Sequence, residues 1–161
     1  MKLKLIKKYI CKKYILNKSL ILFFLSFFYI NTYSQLYVNE IDSDTDSVDE
    51  LEFVEIKSDS PNFSLDGYIV VMFNGSTNGS DSSYRAIDLN GFQTDLNGLF
   101  LIGNNNVSPS AQIIIPNNSI QNGADAVAIY QASLSDFPNS TLATTTNLVD
   151  ALVYDTSDSD D

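Results

Sequence analysis

Tyr68-Ile-Val-Val-Met-Phe73 is the stretch that decides the fold, and the turn signal Asn74-Gly75 follows it directly. It contains no polar break, and its β-branched and aromatic side chains favour extended backbone because they pack well on a pleated surface. A strand that is apolar at every position is typical of a strand covered on both faces. We therefore predict a central β-strand here, with other parts of the chain packed against each side of it.

Beyond this stretch, the chain contains further short apolar runs, which are separated by Asn, Gly, Ser, Asp and Pro. Asn-Gly pairs tolerate the positive φ angles that tight hairpin turns need. Short strands at regular spacing, enriched in Ile, Val, Phe and Tyr, predict an all-β antiparallel sandwich. The eight predicted strands are Leu36–Ile41, Leu51–Lys57, Gly67–Asn74, Tyr84–Leu89, Leu99–Gly103, Ala111–Ile115, Asp125–Gln131 and Leu148–Tyr154.

Two of these strands carry finer patterns. In the second, the apolar phase switches between Phe53 and Val54, which predicts a β-bulge there that returns both sets to one side. In the last, Val149, Ala151 and Val153 alternate with the remaining residues, as in a strand buried mainly on one face.

Residues 1–34 have the pattern of a helical signal peptide. Seven lysines in the first 18 residues precede a 12-residue apolar run, residues 19–30, which is shorter than the roughly 20 residues of a membrane-spanning helix. Thr32 and Ser34 are small residues at −3 and −1, which predicts cleavage between Ser34 and Gln35. The protein is therefore expected to be secreted or at the cell surface, touching the membrane only through the leader during export. An uncleaved anchor is the alternative.

Beyond Ser34 the chain is strongly acidic. That part contains all 20 acids but only two bases, Lys57 and Arg85, so its formal charge is −18. It contains neither His nor Cys. This composition excludes disulfides, Cys/His zinc sites, Cys nucleophiles and His bases from that part of the chain. Nucleic-acid binding is disfavoured because phosphate affinity comes mainly from Lys and Arg. We predict that the protein is not an enzyme.

Three motifs in order resemble the lamin tail domain, an immunoglobulin-like sandwich of nuclear lamins and many secreted bacterial proteins. They are Asn39-Glu-Ile41 with Glu52-Phe-Val-Glu-Ile56, then Leu65-Asp-Gly-Tyr68, then Gln121-Asn-Gly-Ala-Asp-Ala-Val-Ala-Ile-Tyr130 with Leu148–Tyr154. The resemblance covers roughly residues 36–155. It implies an accessory domain of the kind found beside secreted nucleases, phosphatases and other hydrolases. It carries over no catalytic residues, and lamin relatives are linked with protein and chromatin contacts.

The predicted organisation is therefore a signal peptide over residues 1–34, a lamin-tail-like sandwich over 35–155 and an acidic end over 156–161. That end is either a solvated tail or the start of a linker to a further domain, and we favour the linker.

An acidic loop is the strongest candidate for metal binding. Asp42, Asp44 and Asp46 stand at alternate positions and could turn several carboxylates inward, a ligand set that suits Ca²⁺. The loop departs from the EF-hand, because Ser47 stands where that motif needs Gly and Phe53 where it needs the bidentate Glu. The alternative is a solvated connection whose acids discourage association between sheets. No other cofactor is predicted.

Glu40, Glu52 and Glu55 belong to the family-like motif. A carboxylate pair can hydrolyse glycosides when a cleft holds the two groups at a suitable separation. Nothing in the sequence builds a sugar cleft with aromatic walls, so we favour structural roles: capping turns, binding backbone N–H groups or pairing with the two bases.

These observations favour a non-catalytic, secreted interaction or accessory module that binds a protein, a cell-surface ligand or a downstream domain of the same protein. The alternative is the N-terminal accessory part of a secreted metal-dependent hydrolase, a nuclease or phosphatase. A His-, Asp- and Asn-rich domain encoded beyond Asp161 would favour that alternative.

Overall fold

The computed structural model describes residues 36–44 and 48–156, which form an all-β unit. The predicted leader, the Ser34–Gln35 cleavage site, Asp46 and the end of the acidic tail, residues 157–161, lie outside this range. None of the helical segments in the described ranges has the length and apolar character of a membrane crossing.

The described residues contain eight strands and one 3₁₀ turn. The bounds of all eight strands lie within two residues of the predicted ones. The 3₁₀ turn spans Leu134–Asp136. The strands are β1 Leu36–Asp42, β2 Phe53–Ser58, β3 Tyr68–Asn74, β4 Ser82–Asp88, β5 Leu99–Gly103, β6 Ile113–Ile114, β7 Asp125–Gln131 and β8 Leu148–Tyr154.

The strands form two four-stranded sheets, with orders β1-β2-β5-β6 and β4-β3-β7-β8. Among the described strands, every pairing is antiparallel except that of β5 with β6, which is parallel. The predicted antiparallel arrangement is therefore wrong at this edge. Gln112 explains the exception. Its side-chain oxygen accepts the N–H of Leu101 at 2.7 Å, and its own N–H donates to the Leu101 carbonyl at 2.9 Å, so that Ile113 is brought beside Ile102.

The main core lies between the two sheets. Inward positions on β2 alternate strictly with outward ones, and β3 is buried along its centre because it lies between β4 and β7. At the open side, the Asp150 carboxylate on β8 accepts the backbone N–H of Val38 on β1 at 2.9 Å and joins one sheet to the other. The buried core residues are Leu36, Val38, Val54, Ile56, Leu65, Val70, Met72, Leu89, Phe100, Ile102, Ile115, Ile120, Val127 and Ile129.

The bulge predicted within β2 is wrong. The irregularity in this pair lies in β1, between Val38 and Glu40, and the register of β2 is unbroken. The apolar phase switches at Phe53 because this side chain faces away from the core and stays half-buried there, whereas Val54 and Ile56 point inward.

A second apolar cluster covers the outer face of the β4-β3-β7-β8 sheet. Ile69, Val71 and Phe73 point outward from β3, and Tyr130 does so from β7. The connection between β7 and β8, residues 132–147, crosses over them and seats Phe137 on the sheet. The ring centroids of Phe137 and Tyr130 are 4.4 Å apart, within the range of favourable aromatic contacts. The central strand is therefore covered on both faces, as its sequence predicts.

Candidate functional site

The acidic loop that follows β1 is described in part. Asp42 ends β1, Asp44 is exposed, and the Asn122 side-chain amide lies 3.5 Å from carboxylate oxygens of both Asp44 and Asp49. Among residues 36–44 and 48–156, no three Asp, Glu, His or Cys side chains are grouped to hold a metal ion. Since Asp46 lies outside these ranges, the calcium site stays a prediction, and the melting midpoint with and without millimolar Ca²⁺ tests it.

The three glutamates of the motif do not come together. Glu40 and Glu55 are cross-strand neighbours, whereas Glu52 lies on the inner side of the same sheet and is completely buried. The Glu52 carboxylate accepts the backbone N–H groups of Ser119 and Ile120, each at 2.9 Å. The Asn104 amide donates to it as well, at 3.2 Å. The expectation that one of these acids binds backbone N–H groups is confirmed for Glu52.

Two tyrosines hold Gln121, the residue that follows Ile120 in the loop before β7. The Tyr84 hydroxyl accepts the backbone N–H of Gln121 at 3.1 Å, and the Tyr154 hydroxyl donates to the Gln121 carbonyl at 3.0 Å. Burial raises the pKa of both hydroxyls, and Tyr84 together with the Asp125 and Glu52 carboxylates adds to the rise for Tyr154. The neutral phenol is therefore favoured, as its role as a hydrogen-bond donor requires. We read this end of the sandwich as structural, because its polar groups are used to fix a loop.

An apolar groove lies on the outer face of the second sheet, beside the cluster that Phe137 covers. Ala126 on β7 lies between Phe73 and Val153 of the neighbouring strands, and Ala128 lies beside Ala151. Methyl side chains at these positions leave the floor lower than its surroundings. We call this feature the alanine groove, with its floor at Ala126, Ala128 and Ala151.

The walls of the alanine groove come from the β7–β8 connection and from the β3–β4 turn. The Thr144 carbonyl accepts the Tyr130 hydroxyl at 2.8 Å, and the backbone N–H of Ala143 donates to the carbonyl of Asp81 at 2.9 Å. Thr145 belongs to the same wall, and Gly75 closes the groove on the side of the β3–β4 turn. The open groove has a volume of about 790 Å³, within the range of ligand-binding clefts.

The chemistry of the alanine groove is apolar with an acidic end. Val153 is 79% exposed at its edge, and Leu142, 64% exposed, lies next to the wall residue Ala143. Asp81 is exposed at the end of the groove, and none of the described residues that line the groove is Lys or Arg. A concave, mainly apolar surface with a few polar groups is typical of binding sites for other molecules. The groove can therefore accept apolar side chains, but it brings together no acid–base pair.

The sequence predictions did not include the alanine groove. A signal for it exists, because Ala124, Ala126 and Ala128 recur with the two-residue period that puts side chains on one face of a strand. Small residues at that period show where a face is shallow, but they do not show that Ala151 lies beside Ala128. That neighbour depends on the pairing of β7 with β8.

No family model matches this chain, and no curated protein matches it in sequence.

Proposed function

We propose that this chain is an exported, non-catalytic interaction module with a lamin-tail-like, immunoglobulin-like architecture, and that it binds through the alanine groove. The observation that carries the proposal is an open, mainly apolar groove, with the 79% exposed side chain of Val153 at its edge. The basic, apolar leader supports export, and the motif order over residues 36–155 supports the lamin-tail-like architecture.

The arrangement of rigid and exposed parts also supports a binding role. The sandwich core fixes β7 and β8, and the connection over residues 132–147 is held to them by Phe137 and Tyr130. Binding residues on a connection that a rigid scaffold positions are common in β-sandwich proteins. The partner in this proposal is a protein, a cell-surface ligand or a neighbouring domain.

Site-specific photo-crosslinking tests the proposal. A photoreactive phenylalanine analogue is placed at Ala151, on the floor of the groove, in the full chain produced by its own organism. The matched control carries the analogue at Ile114, an exposed strand position on the other sheet. We expect a discrete crosslinked product from position 151 that is absent from position 114. Identical products at the two positions, or none at either, would contradict the proposal.

A hydrolysis assay tests the non-catalytic part. We expect the purified full chain to leave phosphodiesters intact with or without Ca²⁺ and Mg²⁺. Turnover that disappears in Asp42→Asn or Glu52→Gln, while the melting midpoint shows that the variant is still folded, would favour the metal-dependent hydrolase instead.

A further inference from the structure

We infer that the occupant of the alanine groove is an extended peptide segment of a partner protein, apolar at alternate positions and flanked by Lys or Arg. This inference rests on the proposed function and adds the chemistry of the partner.

The spacing of the floor favours an extended chain. Ala126 and Ala128 are two residues apart on β7, and Ala151 and Val153 are two apart on β8. Two residues of strand span about 6.8 Å, and alternate side chains of an extended peptide repeat at the same distance. Apolar side chains at every second position can therefore enter the groove together.

The charge of the domain selects a basic partner. Among the described residues the only basic side chains are Lys57 on β2 and Arg85 on β4, and neither lines the groove. A second copy of this chain would bring the same acids against Asp81, and an anionic membrane or nucleic acid would be repelled in the same way. Complementary charge on a partner speeds association and suppresses wrong partners.

The groove is also pre-organised. Its wall is fixed by the hydrogen bond from Tyr130 to Thr144 and by the one between Ala143 and Asp81. A site that is already formed loses less conformational entropy on binding, so a short segment is sufficient.

Selection from a phage-displayed library of random dodecapeptides on the purified full chain tests the inference. We expect the enriched peptides to carry apolar residues at alternate positions and an excess of Lys and Arg at their ends. Their affinities as synthetic, fluorescently labelled peptides are then measured by anisotropy, and they are expected to weaken when salt is raised from about 50 to about 500 mM.

Matched variants locate the binding. Val153→Lys should weaken the enriched peptides at least about tenfold, because it adds a repelling charge at the groove edge, whereas Ile114→Lys on the other sheet should leave the affinity unchanged. Asp81→Asn should weaken them about fivefold, the equivalent of one exposed charge contact, and the exposed control Asp59→Asn should have no effect. Melting midpoints confirm that each variant is folded.

The other outcomes are distinct. Peptides that depend on Val153 but show no basic excess would overturn this inference and leave the proposed function standing. Binding that is equal in Val153→Lys and Ile114→Lys, or no enrichment at all, would overturn the inference, while the crosslinking experiment judges the proposed function separately. A dimer in sedimentation that Val153→Lys dissociates would assign the groove to a second copy instead.

Discussion

The Glu52 carboxylate accepts the backbone N–H of Ile120 at 2.9 Å, although 68 residues of chain separate the two. Ser119 donates its N–H to the other carboxylate oxygen, so the charge of a completely buried acid is compensated by fixed backbone donors. Burying a carboxylate is costly unless such donors satisfy it. The contact therefore ties the loop before β7 to the start of β2 and closes one end of the sandwich.

Replacing Glu52 with Gln is expected to destabilise the fold by about 2–3 kcal/mol, because an amide cannot accept hydrogen bonds at both positions and leaves a buried N–H group unsatisfied. The free energy of unfolding from chemical denaturation measures the effect. Glu55→Gln is the matched control: Glu55 accepts one exposed hydrogen bond, from the Asn39 amide, and should lose less than about 0.5 kcal/mol. Equal losses in the two variants would contradict the structural role of Glu52.

The strands could be predicted from the sequence because the pattern of apolar residues directly reflects which strand positions are buried. Tyr68–Phe73 has no polar residue, and a strand with a core on both faces needs none. The role of Glu52 was among the expected ones, but Ser119 and Ile120 could not be named as its donors. Those contacts depend on how a loop returns to β2 over more than 60 residues, and no local pattern encodes that path.

The alanine groove could not be predicted for a related reason. The alternation in the sequence predicts that Val149, Ala151 and Val153 share one face of the strand. A register shift between Ile129 and Tyr130 breaks that alternation in β8. Val149 therefore packs on the core, while Ala151 and Val153 face outward. One extra residue in a strand reverses the side on which every later residue lies.

Gly98 tests a turn in which both conformation and space require glycine. Its φ is +78°, and a Cβ atom there would lie 2.4 Å from the backbone oxygen of Ser58. Gly91 has nearly the same φ, +82°, with open space around it. We expect Gly91→Ala to cost about 1 kcal/mol through backbone strain alone, and Gly98→Ala about 3 kcal/mol or more, since the Ser58 backbone must also move. Denaturation of the two variants measures the difference, and equal costs would show that the close approach to Ser58 is absent.

Phe137 tests how the β7–β8 connection is held on the sheet. It packs against Tyr130 and Phe73, with ring centroids 4.4 and 6.2 Å away. Phe137→Ala should cost about 3–4 kcal/mol, typical of a large-to-small change in a core. Leu134→Ala, in the neighbouring 3₁₀ turn where the side chain is 45% exposed, should cost less than about 1 kcal/mol.

Hydrogen exchange should also accelerate at the Ala143 amide in Phe137→Ala. Unchanged exchange there would mean that Phe137 does not hold the groove wall.

Tyr154 predicts how stability changes at alkaline pH. Burial, with nearby Tyr84 and acidic groups, raises its pKa in the folded protein above the ordinary value of about 10. As the pH rises above 10, the unfolded chain releases the phenolic proton while the folded chain retains it, so the unfolded state is favoured and stability falls. The slope from this one group is at most about 1.4 kcal/mol per pH unit, and partial exposure reduces it.

Tyr154→Phe should flatten the decline in stability between pH 10 and 11, measured by denaturation. It should not remove the decline, because burial also raises the pKa of Tyr84. Between pH 6 and 8, where phenols are protonated in both states, the variant and the natural chain should show the same pH dependence. An unchanged alkaline slope in Tyr154→Phe would show that the Tyr154 hydroxyl is solvated and does not donate to the Gln121 carbonyl.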